Sequence, residues 1–312
     1  MAFNSRSTAF LFPGQGSQEV GMGRELAAQH PASSEVFAEA DEILGFPLST
    51  LCWEGPAQQL NDTINTQPAI LVHSIAALRA LDAQALPAAA AGHSMGEFSA
   101  LVCSGSISFK HALKLVRARG EAMKAAGERS PGRMAAILGL DPEKAAKVCS
   151  EVQAATGEVV QLANDNCPGQ LVISGSEAGM EEATEQLKEA GARRVIPLAV
   201  SIAAHSTLME PAQAQLNEAI EATHIETPAI PVFANVSAKP LTSVAEIREE
   251  LQAQLTSRVR WAETIESMRA QGIDTFIELG PKDVLTKLCT RIDPDANAFA
   301  VGDPTSLESR PA

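Results

Sequence analysis

Gly92-His93-Ser94-Met95-Gly96 sets a hydroxyl nucleophile between two glycines at the spacing of a sharp strand-to-helix turn. The small-residue run at 88–91 before it reads as a buried strand, and the apolar stretch after it as a helix. At such a turn the glycines let strand and helix approach closely. The serine Oγ then stands above the sheet at a helix N-terminus, where the dipole favours developing negative charge. The Met95 N–H would lie where an oxyanion needs a donor. A serine so placed attacks acyl carbonyls once a base takes its proton. The motif does not say which acyl group.

Six histidines could supply the base. His30, His111 and His224 fall on polar or terminal helix positions and read as surface residues. His73 sits among Leu71, Val72 and Ile75 and reads as a core histidine. His93 adjoins the nucleophile, but its ring should point away from Oγ. His205 lies in Ile202-Ala203-Ala204-His205-Ser206, after a strand and before a helix, where functional loops leave a sheet. A helix N-terminus nearby would keep its imidazole neutral, as a base requires. No Asp or Glu stands out as a third member. The expectation is therefore a Ser94–His205 dyad with the imidazole held by a backbone carbonyl.

Along 109–125 the residues Ala112, Leu115, Val116, Arg119 and Met123 recur at helical spacing on one apolar stripe, which turns Arg119 inward. Arg117 lies off that stripe with Glu121 four residues on, an ordinary exposed pair. A buried guanidinium keeps its charge and needs an anion. Two readings stay open: an internal salt bridge, or a fork that grips a substrate carboxylate.

The elements around these residues alternate as an α/β chain. Residues 8–12 read as a strand ending in Pro13-Gly14-Gln15-Gly16. Helices are expected at 33–44 and 68–81, the latter with Pro68 in its first turn. Residues 134–140, 142–154, 159–163, 170–174, 177–190 and 193–200 follow the order strand, helix, strand, strand, helix, strand. That order is the ferredoxin-like pattern, a unit that can be inserted into a larger fold. The α/β alternation then resumes, with helices at 210–222, 244–255 and 261–271 and strands at 231–236 and 275–279. From 303 onward the tail reads as loose.

With 312 residues, one large α/β domain with a subdomain is expected. A balance of 24 basic against 38 acidic residues, net −14, argues against nucleic-acid or anionic-membrane binding. Five scattered cysteines without a C-x-x-C fit neither a zinc site nor a disulfide framework, and suit a reducing cytoplasm. No signal peptide and no membrane-length apolar segment is found.

Six motifs occur in order: Phe10-Leu11-Phe12-Pro13-Gly14-Gln15-Gly16-Ser17-Gln18, Gly92-His93-Ser94-Met95-Gly96-Glu97, Arg119-Gly120, Asn164-x-Asn166-x-Pro168-Gly169-Gln170, His205-Ser206-x-Leu208-Met209 and Glu278-Leu279-Gly280-Pro281. Together they resemble the malonyl-CoA:acyl carrier protein transacylase family of type II fatty acid synthesis, over about residues 8–302. The resemblance implies an α/β-hydrolase-like parallel-sheet catalytic domain (1–130 and 201–312) with a ferredoxin-like subdomain (131–200). It implies Ser94 as nucleophile, His205 as base, Gln15 and Met95 as backbone oxyanion donors, and Arg119 as the malonyl carboxylate ligand. Gln254 matches the residue whose carbonyl orients the histidine, and Asn164 and Gln170 match residues lining the interdomain cleft. His93 and Ala204 complete the substrate-binding set; Ala204 stands where Phe or Ser is usual and enlarges the pocket at the malonyl α-carbon. Lys282-Asp283 also departs from the family's usual Gly-Lys.

The implied substrates are coenzyme A thioesters and the phosphopantetheine of acyl carrier protein, with no bound metal or cofactor. The implied protein is a cytoplasmic monomer. Lys282, Lys287, Arg291, Arg258 and Arg260 are the candidate patch for an acidic carrier protein. Three other readings compete: a serine esterase or thioesterase, a polyketide-pathway acyltransferase with another extender unit, and a non-catalytic carrier-binding module.

Overall fold

The computed structural model describes residues 4–81, 86–200 and 202–309. Its strands are β1 (Thr8–Phe12), β2 (Ala89–Gly92), β3 (Gly132–Leu138), β4 (Val160–Cys167), β5 (Gln170–Ser176), β6 (Arg194–Pro197), β7 (Val232–Phe233), β8 (Pro240–Leu241), β9 (Val259–Arg260), β10 (Thr275–Leu279) and β11 (Asn297–Val301). Every residue of β1 is buried, as expected of a parallel strand covered on both faces. It lies inside a six-stranded sheet ordered β11-β10-β1-β2-β7-β8. All neighbours there are parallel except the β7–β8 pair. Parallel pairing puts the C-terminal ends of β1, β2 and β7 on one edge, where ligand sites of open α/β sheets form. The loops carrying Gln15, Ser94 and Asn235 therefore converge.

The second sheet is ordered β6-β3-β5-β4-β9. β3, the helix Pro142–Thr156, β4, β5, the helix Glu177–Glu189 and β6 follow the order expected at 131–200. They enclose a core of their own around Ile137, Val152, Leu171 and Leu187. This sheet does not end at the expected boundary: β9, from the later part of the chain, pairs in parallel with β4 through Asn164↔Val259 and Asp165↔Arg260.

Three expectations shift. The helix expected at 68–81 runs Thr63–Ala80, so Pro68 is inside it. Asp62 starts it earlier by accepting the Ile64 N–H. The Ile64 carbonyl, four residues before the proline, takes Arg117 Nη1 at 3.4 Å. The tail is not loose up to 309: Pro304–Ser309 is helical, Asp303 accepts the Ser306 N–H at 2.7 Å, and Leu307 joins the main core. Strand 231–236 shortens to Val232–Phe233, because the Ala234 N–H turns back to the Lys239 carbonyl. Among the described residues no helix is long and apolar enough to cross a membrane.

Candidate active site

Between β2 and the helix Gly96–Cys103 the chain turns within three residues, with Ser94 at φ 52°. A side chain in this left-handed region costs about 1–2 kcal/mol, so the surroundings must hold it there. Asn235 does so: its Oδ1 accepts the Ser94 N–H at 2.7 Å while its Nδ2 donates to the Gly92 carbonyl at 2.7 Å. The two flanking glycines are required by close approach. A Cβ on Gly92 would lie 2.0 Å from the Gly96 carbonyl carbon, and one on Gly96 would lie 2.1 Å from the Phe12 carbonyl oxygen. The loop after β1 is thereby pressed against the elbow. The N–H groups of Gln15 and Met95 donate to no other group among the described residues. They remain available to an oxyanion.

His205 also has positive φ, 60°, and is 4% exposed. Its Nδ1 faces two acceptors, the carbonyls of Gln254 at 3.0 Å and Ser257 at 3.1 Å. Nδ1 must therefore carry the proton, which leaves Nε2 as an acceptor for the Ser94 hydroxyl at 2.8 Å. Burial first, and the Arg119 cation second, push the imidazole down to about 3. The helical stretch expected after His205 begins at Thr207 and continues as Glu210–Ala222. A cavity of about 340 Å³ opens beside His205, with Gln153, Leu162, Thr256 and Arg258 among its lining.

Arg119 is 1% exposed on the buried stripe of the helix Phe109–Arg129. No carboxylate pairs with it among the described residues. Its Nη1 donates to Gln67 Oε1 at 3.0 Å, and its Nη2 to Gln254 Oε1 at 2.9 Å and Ser94 Oγ at 3.1 Å. Its Nε is buried and has no partner. Burial lowers its pKa to about 10, so the group stays cationic at neutral pH. A buried, charged and incompletely satisfied donor set beside the Ser94 hydroxyl is suited to binding an anion. Arg117 is paired outward with Glu121 at 2.7 Å, as expected.

Beneath the elbow Gln254 links these groups. Its backbone carbonyl holds His205, its Oε1 faces Arg119, and its Nε2 donates to the Ser94 carbonyl at 3.1 Å and to Glu97 Oε2. Glu97 is fully buried, and burial together with Glu250 raises its carboxyl well above the usual range.

Of the remaining expected residues, His93 adjoins Ser94 in the chain, whereas no hydrogen bond ties Asn164 or Gln170 to Ser94, His205 or Arg119 among the described residues. His93 turns away from Oγ; its Nε2 bonds Asn166 Oδ1 at 2.8 Å and its ring meets Trp261 edge-on at 5.4 Å. Asn164 is buried on β4 at the junction with β9. Gln170 begins β5 and accepts from Arg291. Ala204 is half-buried at the rim of the main core. Ser201, at the end of the preceding segment, lies outside the described residues. His73 bonds the Gly302 carbonyl from the core, at 2.7 Å. Most of the expected basic patch is engaged internally: Arg258 and Arg260 both pair with Glu263, Lys287 with Asp283, and Lys282 reaches Glu19 at 4.0 Å. Sequence reasoning missed Asn235, Gln67 and the packing role of Glu97. Gln67 and Asn235 are lone polar residues with no local pattern, although Asn235 does follow a strand on the site's edge; Glu97 ends the motif at 92–97, which says nothing of what it touches.

An acyl transferase domain family profile matches residues 9–294. Malonyl CoA-acyl carrier protein transacylase of Bacillus subtilis (strain 168) is 49% identical over 301 residues, covering 96% of this chain and 95% of that protein. An acyl carrier protein S-malonyltransferase from Vibrio cholerae superposes with a TM-score of 0.93 at 45% identity, covering 97% and 99% of the two chains. A malonyl-transacylase solved in complex with its type II PKS acyl-carrier protein gives a TM-score of 0.94 at 43% identity, covering 97% and 98%.

Proposed function

The chain belongs to the acyl transferase domain family, and from that membership we propose that it is the acyltransferase that carries malonyl from coenzyme A to acyl carrier protein, supplying malonyl carrier protein for fatty acid synthesis. One observation carries the reading. The Arg119 guanidinium, with no carboxylate partner among the described residues, lies 3.1 Å from the Oγ of a serine already bonded to a neutral histidine. An uncharged acyl group leaves that buried cation unmatched, whereas malonyl brings its own carboxylate.

The reaction runs in two halves. Ser94 Oγ attacks the thioester carbonyl as its proton passes to His205 Nε2, and the Gln15 and Met95 N–H groups hold the oxyanion. Collapse expels the coenzyme A sulfur, which takes the proton from His205, and leaves malonyl on Ser94. The phosphopantetheine thiol of the carrier protein then gives its proton to His205 and attacks the malonyl ester, and His205 returns that proton to the departing Ser94 Oγ, restoring both residues. Protonated His205 would sit beside the Arg119 cation; the malonyl carboxylate on Arg119 offsets that repulsion. The chemistry uses no metal or redox cofactor. Asn164, Gln170 and His93 line the approach, and Ala204 borders the acyl group.

The same reading assigns 1–130 and 201–312 to an α/β-hydrolase-like catalytic unit and 131–200 to a ferredoxin-like subdomain. It is supported by the β6-β3-β5-β4 order and the separate core of that unit. A monomer working in the cytoplasm completes it.

Intact-mass measurement after mixing with malonyl-CoA tests the proposal. One malonyl group should appear on Ser94 and be removed by the carrier-protein thiol. Release of free malonate at the transfer rate without carrier protein would make the protein a hydrolase instead.

A further inference from the structure

The transfer reaction uses Ser94, His205 and Arg119 directly but leaves Glu97 without a task. Glu97 sits in the first turn of the helix behind the nucleophile, fully buried and in no salt bridge among the described residues. Both of its oxygens are committed to donors. Oε1 accepts the Asn235 N–H at 3.1 Å, and Oε2 accepts from Gln254 Nε2.

This pattern leaves the Gln254 carboxamide one orientation. With Nε2 donating to Glu97 and to the Ser94 carbonyl, Oε1 must face Arg119 Nη2, at 2.9 Å. Turned over, it would set its NH₂ against the guanidinium and its oxygen against two acceptors. The neutral amide also stands between the Glu97 carboxyl and the Arg119 cation. Without it, the buried Glu97 carboxyl could pair with Arg119 and occupy the cation that the acyl carboxylate would otherwise meet. Arg119 Nε, buried and unpartnered, is consistent with a cation left incomplete for a ligand.

We infer that Glu97 is a positioning residue for acyl selectivity: by fixing the Gln254 carboxamide it aims Arg119 at the acyl group on Ser94 and keeps that cation out of an internal ion pair. The inference rests on the malonyl reading of Arg119. A carboxyl, ionised or protonated, offers an acceptor on each oxygen, whereas a carboxamide offers only one. In Glu97→Gln the new NH₂ must therefore face either the Asn235 N–H or Gln254 Nε2, donor to donor. The Gln254 amide is then released or turned over.

The test compares Ser94 loading from malonyl-CoA and from acetyl-CoA in the full chain, read by intact mass. Glu97→Gln should lower kcat/KM for malonyl about tenfold, the loss expected from one hydrogen bond to a charged group, while acetyl loading changes no more than about twofold on the same scale. With Arg119→Met already present, Glu97→Gln should cost malonyl loading nothing further. Gln254→Met keeps the backbone carbonyl that holds His205, removes the carboxamide, and should reproduce the selectivity loss. It also decides the matter if Glu97→Gln does not fold. Equal losses for both acyl groups, or an unchanged malonyl-to-acetyl ratio in Gln254→Met, would overturn the inference. If the unaltered protein does not prefer malonyl over acetyl, the malonyl reading fails first. If it does and the variants discriminate equally well, only the role of Glu97 falls.

Discussion

Arg119→Met removes the charge while keeping an unbranched stem in the space the arginine fills. Arg119 is 1% exposed, donates to Gln67, Gln254 and Ser94, and meets no carboxylate among the described residues. A malonyl carboxylate bound there becomes half of a buried ion pair, and removing one partner of such a pair costs about 3–5 kcal/mol. At about 1.4 kcal/mol for each tenfold in rate, malonyl loading should fall by roughly two to three and a half orders of magnitude. An acetyl group carries nothing for Arg119 to grip. It loses only the effect of the Nη2 bond to Ser94 Oγ, about 1.5 kcal/mol for a bond from a charged group, so its loading should fall by no more than about tenfold. The assay is single-turnover acylation of Ser94 by malonyl-CoA and acetyl-CoA, followed by intact mass, with a thermal melt to confirm folding. Equal losses would make Arg119 a structural cation and refute the carboxylate argument.

Ser94→Gly and Ser94→Ala both delete Oγ, so their difference in stability isolates the strain at φ 52°. Relief of about 1–2 kcal/mol of left-handed strain, less about 0.5–1 for glycine's freedom in the unfolded chain, should leave the Gly variant more stable by about 0.5–1 kcal/mol in denaturant titration. A less stable Gly variant would mean that the elbow is unstrained. Because burial and Arg119 push His205 from 6.5 down to about 3, kcat/KM should show no inflection near the ordinary histidine range. A fall centred there would refute the neutral base. In Arg119→Met the second cause of depression is gone, so the inflection should move up. The sign for stability follows: below 6.5 the unfolded chain binds this proton and the folded one does not. The His205 contribution is therefore present above 6.5 and lost as the pH falls toward 3. Glu250 and Glu278, raised by burial to about 7, oppose it: their contribution is present below 4.5 and lost as the pH rises through 7.

Much of the site was legible because it is written in local pattern. Glycines two residues on either side of Ser94, between an apolar run and a helix, specify an elbow wherever they occur. Helical periodicity alone turned Arg119 inward and Arg117 outward, and both faces are as read. The order of elements at 131–200 followed from alternation and turn residues, but β9 at its edge did not, since a two-residue strand has no period. Pro68 was misplaced because proline's preference for a first turn is a weak local rule. Capping by Asp62 and packing of the whole helix outweigh it.

Tertiary structure decided which polar residues meet. Gln67, Asn235, Gln254 and Glu97 lie far apart in sequence, and any could have been solvated on a surface. A parallel sheet in which β1 lies between β2 and β10 gathers the ends of distant strands, and exclusion of water from that edge makes each polar group there find a partner. The sequence determined that a serine, a histidine and an inward arginine exist. Only the packed structure decided that the histidine is kept neutral by burial and the arginine's charge, and that an amide rather than a carboxylate faces that arginine. Both depend on desolvation and on long-range contacts, which no run of neighbouring residues encodes.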